Sequence, residues 1–175
     1  MNLHDRVIDC IRSSTGQVFS TMLGAEIGEG TSRTEKVPPQ ANDGVVSFIG
    51  LAGAWTGTGS IACSASTASR VCSLMLMMDP PPAVDEEVLD AMAELTNMII
   101  GNVKNELERE LGPLGLSIPT VVFGRNFRAR TAVSGEWSVV SFDWEGEELM
   151  VRVCLTSADQ THPFPHSGHS YPVEV

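Results

Sequence analysis

From residue 4 to residue 23 the apolar positions fall at Val7, Cys10 and Ile11, then at Val18, Met22 and Leu23. Spacings of three, four and seven predict a helix, and Gly24 supplies its natural stop. A longer stripe runs through Leu89, Met92, Ala93, Thr96, Ile99, Ile100, Val103, Leu107 and Leu111. Asp85 is its expected N-cap, and Glu86 and Glu87 sit in the first turn, where the helix dipole favours negative charge. Gly112–Pro113 ends it. At ~1.5 Å per residue this helix is roughly 40 Å long, the longest element in the chain.

Elsewhere the pattern changes to that of strands. Residues 25–37 read as an extended segment broken by Pro38–Pro39. GVVSFIGL at 44–51 and WTGTGSIACS at 55–64 are close enough to form a hairpin. A short Leu- and Met-rich helix follows, capped by Ser66 or Thr67, running through Met78 and closed by the prolines at 80–82. Strand patterns return at 116–123, 137–144 and 149–155, with EGEE at 145–148 turning between the last two. After Ala158 the Pro-rich HPFPHSGHSYPVEV has no periodicity. The expected architecture is one α/β (α+β) domain over residues 1–157 and a tail at 158–175. The domain holds a largely antiparallel sheet of about six strands with two long helices on one face.

Composition narrows the function classes. A chain of 175 residues with 42% apolar and 19% charged side chains has the profile of one soluble globular domain. A formal net charge of −11 argues against a nucleic-acid partner, because phosphates would be repelled. No apolar run approaches the ~20 residues needed to cross a bilayer, and the charged start MNLHDRVIDC does not look like a secretory signal. Four dispersed cysteines (Cys10, Cys63, Cys72, Cys154), none with a local base, are expected to be reduced and buried in a cytoplasmic protein. GTGS at 57–60 lacks a third spaced glycine and precedes a strand, so it reads as a hairpin strand and not a phosphate loop. His162, His166 and His169 have metal-like spacing, but no cysteine or carboxylate lies near them in the tail, and no metal site is expected. Arg125, Arg128 and Arg130 form a small basic cluster after a strand, able to meet an acidic group or simply to face solvent.

The polar side of the long helix carries Asp90, Glu94, Asn97, Gly101, Asn105 and Glu108. Intervals of three and four gather a carboxylate pair and an amide on one face. Residues 79–111 hold nine acidic and two basic side chains, a net charge of −7, suited to a partner that offers lysine. Taken alone, such a face is also what a solvated helix shows. The first helix echoes it: SSTGQVFSTMLG at 13–24 aligns without gaps with DAMAELTNMIIG at 90–101. Asp90 falls on Ser13, Glu94 on Gln17, Asn97 on Ser20 and Gly101 on Gly24.

Asp90-x3-Glu94-x2-Asn97, followed some twenty residues later by Pro119 and flanked by ELTNMIIGNVKNELE, resembles the CheC/CheX/FliY group of chemotaxis phosphatases. The match is nearest the CheX branch and extends over roughly residues 4–156. The resemblance implies a pseudo-symmetric domain that dephosphorylates the aspartyl phosphate of a CheY-like response regulator. Glu94 would pair with a lysine of the receiver domain, and Asn97 would orient the attacking water. Asp90, Gly101 and Pro119 would support the site or the docking. Ser13, Gln17 and Ser20 would mark a degenerate second site. The resemblance further implies no cofactor on this chain, an Mg ion on the receiver and a homodimer. A non-catalytic module that docks receivers or flagellar-switch components through the same helix is the alternative. A metal-responsive interaction protein using the histidine tail is a third.

Overall fold

In a computed structural model of the protein, residues 2–36, 40–128 and 135–158 are described. Helix α1 spans Leu3–Val18; its N-cap Asn2 accepts the Asp5 N–H at 2.9 Å. The helix widens into a π-turn at Phe19–Leu23 and stops where Gly24 takes a left-handed conformation (φ 60°). Strands β1 (Thr31–Glu35), β2 (Gln40–Gly53) and β3 (Trp55–Cys63) follow, then α2 (Ala65–Leu76) and α3 (Glu86–Leu111). The chain closes with β4 (Leu114–Leu116), β5 (Thr120–Arg128), β6 (Trp137–Trp144) and β7 (Glu147–Ser157).

All strand pairs are antiparallel, in the order β1-β6-β7-β3-β2, with β4 and β5 both on the outer side of β2. Leaving β4 aside, the order β1-β6-β7-β3-β2-β5 is a palindrome: exchanging β1 with β5, β2 with β6 and β3 with β7 returns the same sheet. The pseudo-twofold axis therefore passes between the central strands β3 and β7. Each half is a helix followed by three strands, α1-β1-β2-β3 and α3-β5-β6-β7. This is the pseudo-symmetric plan expected from the helix echo.

Both long helices lie on one face of the sheet. α1 covers β6 and β7, and α3 covers β2, β3 and β5. The apolar stripe of α3, from Val88 through Met92, Ile99, Ile100 and Val103 to Leu107, is fully buried against Val45, Ile49, Ile61, Val151 and Val153. Ile100 sits over Gly59; a Cβ at that position would approach three of its side-chain carbons at 2.8–3.0 Å. Phe19 and Trp144 close the core edge-to-face, with ring centroids 5.1 Å apart. The opposite face of the sheet carries a smaller cluster of Trp137, Val139 and Cys154.

The structure departs from the expected elements in four places. There are seven strands, because the stretch read as one strand at 116–123 is two. Pro119 has no N–H for the ladder, so β4 ends at Leu116 and β5 starts at Thr120. The extended segment at 25–37 contracts to β1, since Gly30 turns the chain with φ 72°. The cap of α2 is Ser64, not Ser66 or Thr67; its hydroxyl oxygen accepts the Thr67 N–H at 3.1 Å. The last turn is only Glu145–Gly146, both at positive φ, so β7 already begins at Glu147. GTGS lies within β3. The tail, with His162, His166 and His169, lies outside the described residues, as does Arg130.

Gly59→Ala should lower stability by about 1–3 kcal/mol through overpacking against Ile100. Thermal melting checks this, and adding Ile100→Val should recover part of the loss.

Candidate functional site

The position of α3's polar stripe follows from what the rest of the helix touches. With Ile100 directed at the sheet, residues 90, 94, 97 and 101 fall at roughly 60–120° around the axis. The opposite flank faces α1, where Ser14 Oγ reaches Glu106 (3.4 Å) and Arg6 Nε pairs with Glu110 (2.7 Å). The stripe therefore turns away from α1 toward the outer edge of the sheet. Contacts at β4 confirm it. A Cβ at Gly101 would lie 3.8 Å from Leu116, and Glu108 accepts the Leu114 N–H at 2.8 Å. That hydrogen bond, with Lys104 beside it at 3.0 Å, holds the Glu108 carboxyl below its usual pKa.

Asp90, Glu94 and Asn97 are all exposed on this flank, on a helix whose buried side is fully packed. Neither Glu94 nor Asn97 makes a hydrogen bond or ion pair among the described residues. Pro119 is half-buried in the turn between β4 and β5, beside the Gly101 end of the stripe. Asp90, Glu94, Asn97, Gly101 and Pro119 thus share one side of the molecule. Gly101 has ordinary clearance there, so helix packing does not demand a glycine.

The corresponding flank of α1 differs in chemistry. Ser13, Gln17 and Ser20 are exposed, but the Ser20 hydroxyl donates to the Gln17 carbonyl at 3.1 Å, turning back on its own helix. A serine so engaged presents no amide and no free donor.

Three clefts of about 490, 410 and 320 Å³ lie by β1 and β6, between α2 and the prolines at 80–82, and between the ends of α1 and α3. None is lined by Asp90, Glu94 or Asn97. Glu94 and Asn97 stand exposed on a helix, outside these clefts, an arrangement suited to a macromolecular partner. Among the described residues no group of three or more His, Cys, Asp or Glu side chains could hold a metal. No described helix is long and apolar enough to cross a membrane. The four cysteines are buried and free, and burial pushes the Cys63 thiol up to about 12, far from a nucleophile's range. Of the arginine cluster, Arg125 is exposed on β5 and takes part in an interaction there.

A palindromic antiparallel sheet under two long helices is the CheC-like class of fold. A CheC-like superfamily protein from Shewanella sp. PV-4 superposes with a TM-score of 0.77 at 27% identity, over 90% of this chain and 100% of that one. Residues 45–143 match the family model described as chemotaxis phosphatase CheX, and the chain belongs to that family. The CheY-P phosphatase CheX of Thermotoga maritima is 28% identical over 129 residues, 72% of this chain and 81% of that protein. Borrelia burgdorferi CheX, solved in complex with CheY, BeF3 and Mg, shares the fold with a TM-score of 0.68 at 22% identity, over 85% and 97% of the two chains.

Two outcomes follow from this geometry. Gly101→Ala should stabilise the protein by about 0.5–1 kcal/mol in thermal melting, since the site is helical and uncrowded. A simultaneous fall in activity would then report on a partner's approach. Glu108 contributes stability above its unfolded pKa, about 4.5, and loses it as pH falls through the lowered folded value. The melting-temperature gap between wild type and Glu108→Gln should therefore be constant near neutrality and close below that range.

Proposed function

We propose that this chain is a phosphatase for the aspartyl phosphate of a CheY-like receiver domain and that the α3 flank is its active surface. The observation that supports this most directly is the pairing of a free Glu94 and a free Asn97, one turn apart on a rigid helix. Family membership supplies the reaction class. The T. maritima relative is named for the same reaction.

In this reading Glu94 carries a negative charge to a receiver lysine and so sets α3 beside the phosphoryl group. Asn97 follows at i+3, on the same side of the helix. Its amide offers both a donor and an acceptor, so it can hold a water by the hydrogen and the lone pair at once without acting as nucleophile. The water oxygen attacks phosphorus in line, and the bond from phosphorus to the aspartyl oxygen breaks. The receiver's carboxylate leaves, and inorganic phosphate carries away the water's oxygen. An acyl phosphate has a good leaving group, so positioning alone supplies much of the needed acceleration. An Mg ion held by the receiver would neutralise charge on the transferring group, and the Borrelia complex with CheY and BeF3 contains Mg. No group on this chain needs to act as a general base.

The proposal assigns one active site to each chain, with Ser13, Gln17 and Ser20 marking its inactive counterpart, Asp90 supporting Glu94, and Pro119 shaping the adjoining turn. It includes the homodimer that the resemblance implies and a cytoplasmic setting, where receiver domains reside. The histidine tail has no part in it.

The test is the decay of a phosphorylated receiver from the host with wild type, Glu94→Ala and Asn97→Ala. Asn97→Ala should lose about 100-fold or more in kcat while still binding the receiver. Glu94→Ala should weaken binding by roughly tenfold. Wild type that accelerates no receiver of the host would exclude the enzyme. Binding without hydrolysis would instead establish the docking module.

A further inference from the structure

We propose that Ile118 and Phe123 form an apolar docking shelf beside Glu94 and Asn97, which receives the side chains around the receiver's lysine. This rests on the function proposed above and names the surface by which that partner is held.

β5 runs alongside α3 on the outer edge of the sheet. Val121 packs into the helix-side core, and Phe123, two residues on, points to the same side. Phe123 stands opposite the buried Val45 of β2 and yet is 48% exposed. It lies toward the start of α3, as Val45 precedes Ile49 on β2 and Ile49 pairs with the Gly59 beneath Ile100. At the other end of the polar stripe the turn Ser117–Pro119 lies beside Gly101 and Leu116, and its Ile118 is 88% exposed.

That turn is fastened. Ser117 N–H donates to the Gly50 carbonyl at 2.9 Å, and Gly50 N–H donates to Ser117 Oγ at 2.8 Å. Ser117 Oγ in turn donates to the Ile118 carbonyl at 2.9 Å. Ile118 is thus held out to solvent by a structured turn. A single exposed apolar residue needs no explanation. Here two large ones bracket one polar stripe, each carried on ordered backbone.

The charge of the wall identifies the occupant. From Asp79 through Val103 α3 and its approach contain acids and no lysine or arginine. An acidic wall above an apolar shelf complements a protein surface that presents an ammonium group ringed by apolar side chains. A receiver's lysine would meet Glu94, and its apolar neighbours would cover Phe123 and Ile118.

The experiment uses the full-length chain and the host's CheY-like receiver charged with Mg and BeF3 for binding, and its phosphorylated form for turnover. Ile118→Ala and Phe123→Ala should each raise Kd and KM about tenfold, and the double variant about 100-fold, with kcat within twofold of wild type. Ile118→Lys should be worse than Ile118→Ala, because it opposes the partner's cation, and Ile118→Met should restore binding. Met77→Ala, an exposed apolar truncation in the loop after α2, should change nothing. Unchanged Kd and KM in the double variant of an active enzyme would overturn the shelf alone. A loss confined to kcat would also overturn it. A wild type that neither binds nor hydrolyses would overturn the shelf together with the reading beneath it.

Discussion

The close seat of Ile100 on Gly59 governs how α3 is presented. A side chain on β3 at that position would force the helix upward or sideways. With only hydrogen there, Ile100 descends onto the sheet and the helix's rotation about its own axis is set. The contacts of Glu106 and Glu110 with α1 hold one flank, and the bond from Leu114 N–H to Glu108 holds the other. What remains outward is a narrow strip, and Glu94 and Asn97 occupy it. Their availability for chemistry is a result of packing on the far side of the same helix.

A site built this way is half a site. Glu94 and Asn97 stand exposed on a helix and line none of the three clefts described above. In the proposed reading the phosphate and the metal come from the partner, and this chain adds one amide and one carboxylate one helical turn apart. The backbone entropy lost on docking is also low, since Glu94 and Asn97 stand on a helix whose backbone is already ordered.

Much of this was legible in the chain itself. The stripe from Leu89 to Leu111, the cap at Asp85 and the stop at Gly112 are local signals, and α3 matches them almost to the residue. The gapless echo of residues 13–24 in 90–101 foreshadowed a palindrome of strands. Interrupted strands were harder to read. Pro119 splits one apolar run into β4 and β5, both paired with β2, and the apolar pattern runs on across the break. Ser64, Ser66 and Thr67 are all suitable caps by residue type, so the local pattern does not choose among them; the fold does, with Ser64 Oγ accepting the Thr67 N–H and donating to Glu147, 83 residues away. Asp90, Glu94 and Asn97 could be placed on one face from spacing, but that the face turns toward β5 and not α1 needs the packing. Ile118 and Phe123 gave no signal, since a strand alternation does not say which apolar side stays uncovered at a sheet edge.

The palindrome has a consequence for how such a protein can change over time. The axis between β3 and β7 makes the two helices share one hydrophobic interior, so neither half can drift in its buried positions without disturbing the other. The outward flanks carry no such obligation. Gln17 and Ser20 can stand where Glu and Asn would be, and the core beneath α1 is as well filled as that beneath α3. The number of working surfaces is therefore decoupled from the architecture. It is an evolvable trait written in a few solvent-facing letters, open to gain or loss while the scaffold stays constant.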